Sequence, residues 1–122
     1  MGIQNFSEDV IIVDLPSNDA HIAVELKDLN EHIHGNSDCD VVIDFARVEI
    51  ITSSNLSNLL ALRYLLREHG RQLIFCNVTV TTKGIFTVAG LDGVFEFALD
   101  RDSALAAIEQ SKKSDRSREV SS

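Results

Sequence analysis

The sequence predicts a single α/β domain built on a parallel βαβ unit, and three observations carry that reading. The stretch from Val41 to Cys76 reads as a buried strand, a short serine-bearing loop, a long amphipathic helix and a second strand. The β-branched run Val10 to Leu15 supplies a strand ahead of it, and Ile22, Leu26, Leu29 and Ile33 recur between the two at helical spacing. A chain of 122 residues, 44% hydrophobic and 25% charged, has the size and composition of one ordinary globular domain.

Each element follows from local chemistry. Ile3 to Phe6 offers a short edge strand, and Pro16 stops the strand Val10 to Leu15. Pro16-Ser-Asn-Asp19 is turn chemistry that also offers a helix N-cap, and Gly35 ends the helix that follows. Val41-Val-Ile43 is apolar without alternation, as a strand covered on both faces should be. The helix from about Ser54 to His69 has the length of a right-handed crossover, carries Leu56, Leu59, Leu60, Leu62, Leu65 and Leu66 on a broad apolar arc, and turns Arg63, Arg67 and Glu68 to water. Gly70 supplies its stop, and Gln72 to Cys76 is the strand beside Val41 to Ile43. Thr81 or Thr82 caps a short helix with Ile85, Phe86 and Val88, ended by Gly90. Val94 to Phe97 is a final strand, and Asp100 or Asp102 caps a last helix through Leu105 and Ile108. Residues 1–111 form the domain, and 112–122 a polar, disordered tail.

Charge and composition exclude several function classes. The net charge is −8, and without the basic tail it is −10, a field that repels phosphate backbones and anionic bilayers. No nucleic acid or membrane is expected as a partner, and a protein with a basic patch is a better one. No apolar run approaches the roughly 20 residues that span a bilayer, and the N-terminus lacks a signal pattern, so a cytoplasmic location is expected. Gly2 lacks the Ser or Thr that a myristoylation signal wants where Phe6 stands. Cys39 and Cys76 are placed by the strand order at opposite ends of the sheet, as reduced buried thiols.

No phosphate-binding glycine loop is present, so ATP is not expected in one, and no cofactor is implied. His21, His32, His34 and His69 lack metal-ligand spacing; His32 and His34 are two apart on a helix and point to different sides. Asp44, Ser53 and His69 make a hydrolase triad only on paper. No G-x-S-x-G elbow surrounds Ser53, and His69 falls some 20 Å away at the far end of the helix that Ser53 begins.

That leaves the serine pair Ser53-Ser54 at a helix start. Thr52 or Ser53 serves as an ordinary N-cap there. The same geometry also tolerates a phosphate, which meets free N–H groups and the positive end of the dipole. It would add about −1.5 to −2 charge to the surface without breaking the fold. On the residues alone both readings stand.

The segment Asp44 to Leu56, D-F-A-R-V-E-I-I-T-S-S-N-L, resembles the STAS family, whose simplest members are the anti-sigma factor antagonists of bacteria. The family pattern is a strand ending in Asp, a Val four residues on, and D-S-S/T-G-L at the head of a helix. The likeness continues through R-Y-L-L-R-E-H-G-R-Q-L-I-F-C-N-V, F-T-V-A-G-L-D-G-V-F-E-F and D-S-A-L-A-A-I, over roughly residues 8 to 110. The resemblance implies a STAS-like single domain: a small mixed, mostly parallel β-sheet with about four helices on one side and at the edge. It implies a non-enzymatic switch that binds an anti-sigma factor with serine kinase activity when unphosphorylated, frees the sigma factor, and is reset by a metal-dependent serine phosphatase. Carried over by position, Ser53 is the phosphoacceptor and Thr52, Ser54, Asn55 and Asp19 are partner-contacting positions, Asp19 matching an acidic residue often found near that site. Thr52 stands where the family has Asp, Asn55 where it has Gly, and Pro16-Ser17 where a Gly commonly follows the first long strand. On this resemblance Asn55 is expected to fill the surface a partner approaches. The alternative implied is a STAS scaffold that binds another regulatory or transporter partner without phosphorylation.

Overall fold

The computed structural model describes residues 3–35 and 38–121, with side chains to Lys112, Asn5 excepted. Gly2 and the side chains of residues 113–122 lie outside the described residues. The elements are β1 (Ile3–Ser7), β2 (Val10–Asp14), α1 (Asp19–Gly35), β3 (Asp40–Asp44), α2 (Ser53–Glu68), β4 (Leu73–Cys76), α3 (Val80–Val88), β5 (Glu96–Ala98) and α4 (Arg101–Ser121).

The five strands lie in chain order, β1-β2-β3-β4-β5. β1 pairs antiparallel with β2 through a bulge, and the other pairs are parallel. The register sets Asp14 beside Asp44 and Asp44 beside Cys76, so the loops after β2, β3 and β4 emerge together at one edge.

Side-chain alternation divides the sheet into two apolar faces. Ile11, Val13, Val41, Ile43 and Phe75 join Ile22, Leu26, Leu29 and Ile33 of α1 and Leu56, Leu59, Leu62 and Leu66 of α2 in the larger core. Phe75 sits at the centre of its aromatic part, 4.8 Å from Phe45 and 4.7 Å from Phe95, with Phe86 and Phe97 close by. Val10, Ile12, Val42, Ile74 and Cys76 face the other way and meet Ala104 and Ile108 of α4. Full burial of each large apolar side chain stabilises by about 1.5–3 kcal/mol, and both faces contribute. The helices thus divide between the faces: α4 lies across the second one, where the sequence reading puts all helices on one side and at the edge. The non-alternating apolar strand Val41 to Ile43 is the reason, because its middle residue needs a cover of its own.

Several local expectations shift. α3 begins at Val80 behind Thr79, not behind Thr81 or Thr82, because the Thr79 hydroxyl accepts from the Thr82 N–H at 3.2 Å. The last strand is Glu96–Ala98, two residues later than its apolar pattern suggests; Val94 and Phe95 belong to the preceding turn, and Phe95 is buried in the core. Asp100 is the cap of α4, accepting from the Ser103 N–H at 2.9 Å. The backbone of α4 continues to Ser121, through the stretch read from sequence as a disordered tail; no Gly or Pro interrupts it. Gly70 (φ 68°) follows α2 and Gly90 (φ 76°) follows α3 in the left-handed region that favours glycine as a helix stop.

Two aspartate-based charge clusters bracket β2 and β3. At one edge Arg101 bonds Asp14 and reaches Asp44 at 2.6 Å through Nε. Asp44 also accepts from the Ala46 N–H at 2.9 Å and from the Asn77 amide at 3.1 Å. Burial pushes the Asp44 carboxyl up, and these bonds outweigh it, so it lies below the usual carboxylate range. At the other edge Arg71 and Lys112 face Asp40, and Lys112 also bonds Asp9. Cys39 and Cys76 are buried free thiols, and desolvation pushes Cys76 up to about 12.

Candidate functional site

Asn18 and Thr52 open the two helices that leave neighbouring strands at the same edge. Asn18 caps α1 in the ordinary way, its Oδ1 accepting from the Ala20 N–H at 2.9 Å and the His21 N–H at 3.3 Å. Thr52 holds the N-cap position of α2 with extended backbone (φ −94°, ψ 167°), yet its side chain makes no capping bond. Its hydroxyl instead donates to Asp19 Oδ2 at 3.0 Å, and its N–H donates to Asp19 Oδ1 at 3.2 Å.

Asn55 completes this clasp. Its amide donates to the Asp19 carbonyl and to Asp19 Oδ1, both at 2.9 Å, and its own Oδ1 accepts from Asn58 at 2.9 Å. The side chain is 1% exposed. The expectation that Asn55 fills the surface a partner approaches is therefore corrected: it points inward and ties α2 to the first residue of α1. The Asn55 bond first, against opposing desolvation, and then the two Thr52 bonds hold the Asp19 carboxyl below the usual range. Asp19 thus places a full negative charge, supplied by another helix, against the first turn of α2, where the dipole is positive.

Ser53 and Ser54 are the first two residues of α2 and both are exposed, as is Thr52. Ile50, in the loop between β3 and α2, is 62% exposed.

Of the expected site residues, Asp19, Thr52 and Asn55 are bonded together, and Ser53 and Ser54 stand at the surface beside them. Asp44, Ser53 and His69 are not assembled. Asp44 is held by Arg101, and the His69 Nδ1 lies 2.9 Å from the Leu65 carbonyl at the far end of α2. Among the described residues no group of three or more His, Cys, Asp or Glu is arranged to hold a metal ion, and no helix is long and apolar enough to cross a membrane. Sequence reasoning missed Arg101 and the inward turn of Asn55. Both join residues far apart in the chain, and no local periodicity signals them.

The molecule is thus a mixed α/β domain of five strands in chain order, with an exposed serine pair at the head of α2 beside the Asp19 clasp. The STAS domain profile matches residues 6–104, and the chain belongs to the STAS family. Among solved structures it is similar to a serine-to-glutamate variant of RsbS from Moorella thermoacetica, with 18% identity, 91% of this chain and 96% of that one covered, and a TM-score of 0.79. It is also similar to the anti-sigma factor antagonist SpoIIAA in its unphosphorylated form, with 14% identity, 88% and 95% covered, and a TM-score of 0.75. The phosphorylated form of the Bacillus cell fate determinant SpoIIAA matches with 16% identity, 87% and 96% covered, and a TM-score of 0.67. At these identities the likeness establishes the fold. No curated protein sequence matches the chain.

Proposed function

We propose that the chain is an anti-sigma factor antagonist: a protein-binding module, without a catalytic step of its own, that captures an anti-sigma factor when Ser53 is unphosphorylated and so regulates transcription. The observation that supports this reading is Ser53 itself, exposed in the first position of a helix whose capping hydroxyl is turned away onto Asp19. The partner in this reading is an anti-sigma factor with serine kinase activity. It transfers the terminal phosphoryl group of ATP to Ser53 Oγ, and a metal-dependent serine phosphatase later removes it. The setting is cytoplasmic.

The phosphate acts in two ways. It brings about −1.5 to −2 charge to an exposed helix end, so a partner would have to desolvate it. It also puts a second anion at the helix end that Asp19 already occupies. Repulsion between the two weakens the clasp from Thr52 to Asp19 and loosens α1 from α2.

Incubation with the partner kinase and ATP, followed by intact-mass measurement, tests the reading. One phosphate increment that disappears in Ser53→Ala supports it, as does loss of partner capture by Ser53→Asp. An unmodified mass, or an increment that survives Ser53→Ala, sinks it. The second reading is a STAS scaffold that binds another regulatory or transporter partner without phosphorylation. The observation favouring it is that Asp19 already places an anion where a phosphate would gain most. Capture of a partner with equal strength by wild type, Ser53→Ala and Ser53→Asp selects it.

A further inference from the structure

The far end of α2 carries a second feature that the serine pair leaves unused. A cleft of about 290 Å³ opens between the end of α2, the start of β4 and the turn before β5, lined by Arg63, Arg67, Arg71, Gln72, Gly93 and Glu96 among others. Three guanidinium groups share one small cleft in a chain whose net charge is −8.

Ordinary helix physics explains only part of this. Arg67 lies in the last turn of α2, where the negative end of the dipole favours a cation. Arg63 lies one turn earlier, outside the reach of that effect, and like charges four residues apart on a helix repel each other. Arg71 is fixed by the sheet: its Nη2 donates to Asp40 Oδ2 at 3.2 Å and to the Asp9 carbonyl at 3.3 Å. Its Nε is shielded from solvent and lies 3.2 Å from Asp40 Oδ1 as an ion pair, without the geometry of a hydrogen bond. One wall of the cleft is therefore an arginine held in place by Asp40 and the Asp9 carbonyl, and two more forks stand on the helix beside it.

We propose that this cleft binds a small phosphate-bearing anion. Guanidinium forks match phosphate oxygens in pairs, and the doubly charged group gains more from Arg63 and Arg67, with the Asp40-paired Arg71 beside them, than a carboxylate does. Glu96, with Asp40 beneath Arg71, supplies counter-charge, which favours a ligand bearing a hydroxyl or amine donor beside its phosphate over a bare polyanion. The volume sits at the lower end of small-ligand pockets, room for a phosphate and a short carbon body. α2 is 16 residues long, so the cleft lies roughly 20 Å from Ser53 and its ligand does not compete with the serine pair.

Titration of the full-length 15N-labelled chain with glycerol phosphate, followed by amide NMR shifts, tests the proposal. Saturable shifts are expected at Arg71, Gln72, Gly93 and Glu96, with Ser53 and Ser54 unmoved. The double variant Arg63→Gln/Arg67→Gln is expected to bind about tenfold more weakly at an unchanged melting temperature, since Arg67 is exposed, Arg63 is only half-buried and Gln keeps the helix. Shifts that fail to saturate, or that sodium chloride of equal ionic strength reproduces, overturn it. So does a double variant that remains folded and binds within about twofold of wild type, because charge-assisted bonds worth less than that do not make a site.

Discussion

Two threonines stand at two helix N-caps in this molecule and do different work. Thr79, ahead of α3, has extended backbone (φ −69°, ψ 160°) and closes its helix as the residue type predicts, accepting from the Thr82 N–H and donating to the Thr82 hydroxyl at 3.1 Å. Thr52, ahead of α2, has nearly the same backbone and makes no capping bond at all. The difference lies in the neighbours. Asp19, brought in by the β2–β3 register, is a stronger acceptor for the Thr52 hydroxyl than a bulk water, and its charge compensates the helix end that the hydroxyl leaves. Helix capping is thus a local matter at α3 and a tertiary one at α2.

Substitutions around the two caps break or sharpen that contrast. The largest effect is expected from Asn55→Ala, which deletes a buried donor facing the Asp19 carbonyl and carboxylate; urea denaturation should show a loss of about 2 kcal/mol. Thr79→Ala should follow with about 1 kcal/mol, because it uncaps α3 and strands the buried Thr82 hydroxyl. Thr52→Ala should cost less than Thr79→Ala, about 0.5 kcal/mol, since an exposed hydroxyl is lost and no capping bond goes with it. An equal loss at both threonines would erase the distinction.

The smallest effect is a titration. The Asp19 carboxyl, followed by 13C NMR, should protonate below the ordinary value of 3.8. Because the folded state holds it depressed, the unfolded chain binds more protons between the two values. The clasp's contribution is therefore complete above about pH 4 and is lost as pH falls through the folded value. In Asn55→Ala the Asp19 titration should move back toward 3.8, since the Asn55 bond is the leading cause of the shift.

Much of this was legible from residue order. The periodicity of Ile22, Leu26, Leu29 and Ile33 places exactly those side chains in the core, and the crossover from β3 to β4 follows from the length of α2. The serine pair at the head of α2 was legible too, because N-terminal residue preferences act within one turn. The clasp was not. Asp19 and Asn55 are separated by 36 positions, and only the pairing of β2 with β3 brings them together. Arg101 is 57 positions from Asp44, so its partners are equally invisible in a linear reading. Thr82 misled for the opposite reason: two adjacent threonines offered plausible caps, and Thr79, slightly upstream, took the role with Thr82 as its donor.

The two cations of α4 have one more consequence. Arg101 meets Asp14 and Asp44 at the finishing ends of β2 and β3, while Lys112 meets Asp9 and Asp40 at their starting ends. Eleven residues of helix rise about 16 Å, and the five-residue step from Asp9 to Asp14 covers about the same distance in an extended strand. The helix therefore works as a gauge cut to the length of the strands beneath it. One residue added between the two cations would swing Lys112 about 100° around the helix axis, leaving a gauge that can engage either end of the sheet but not both.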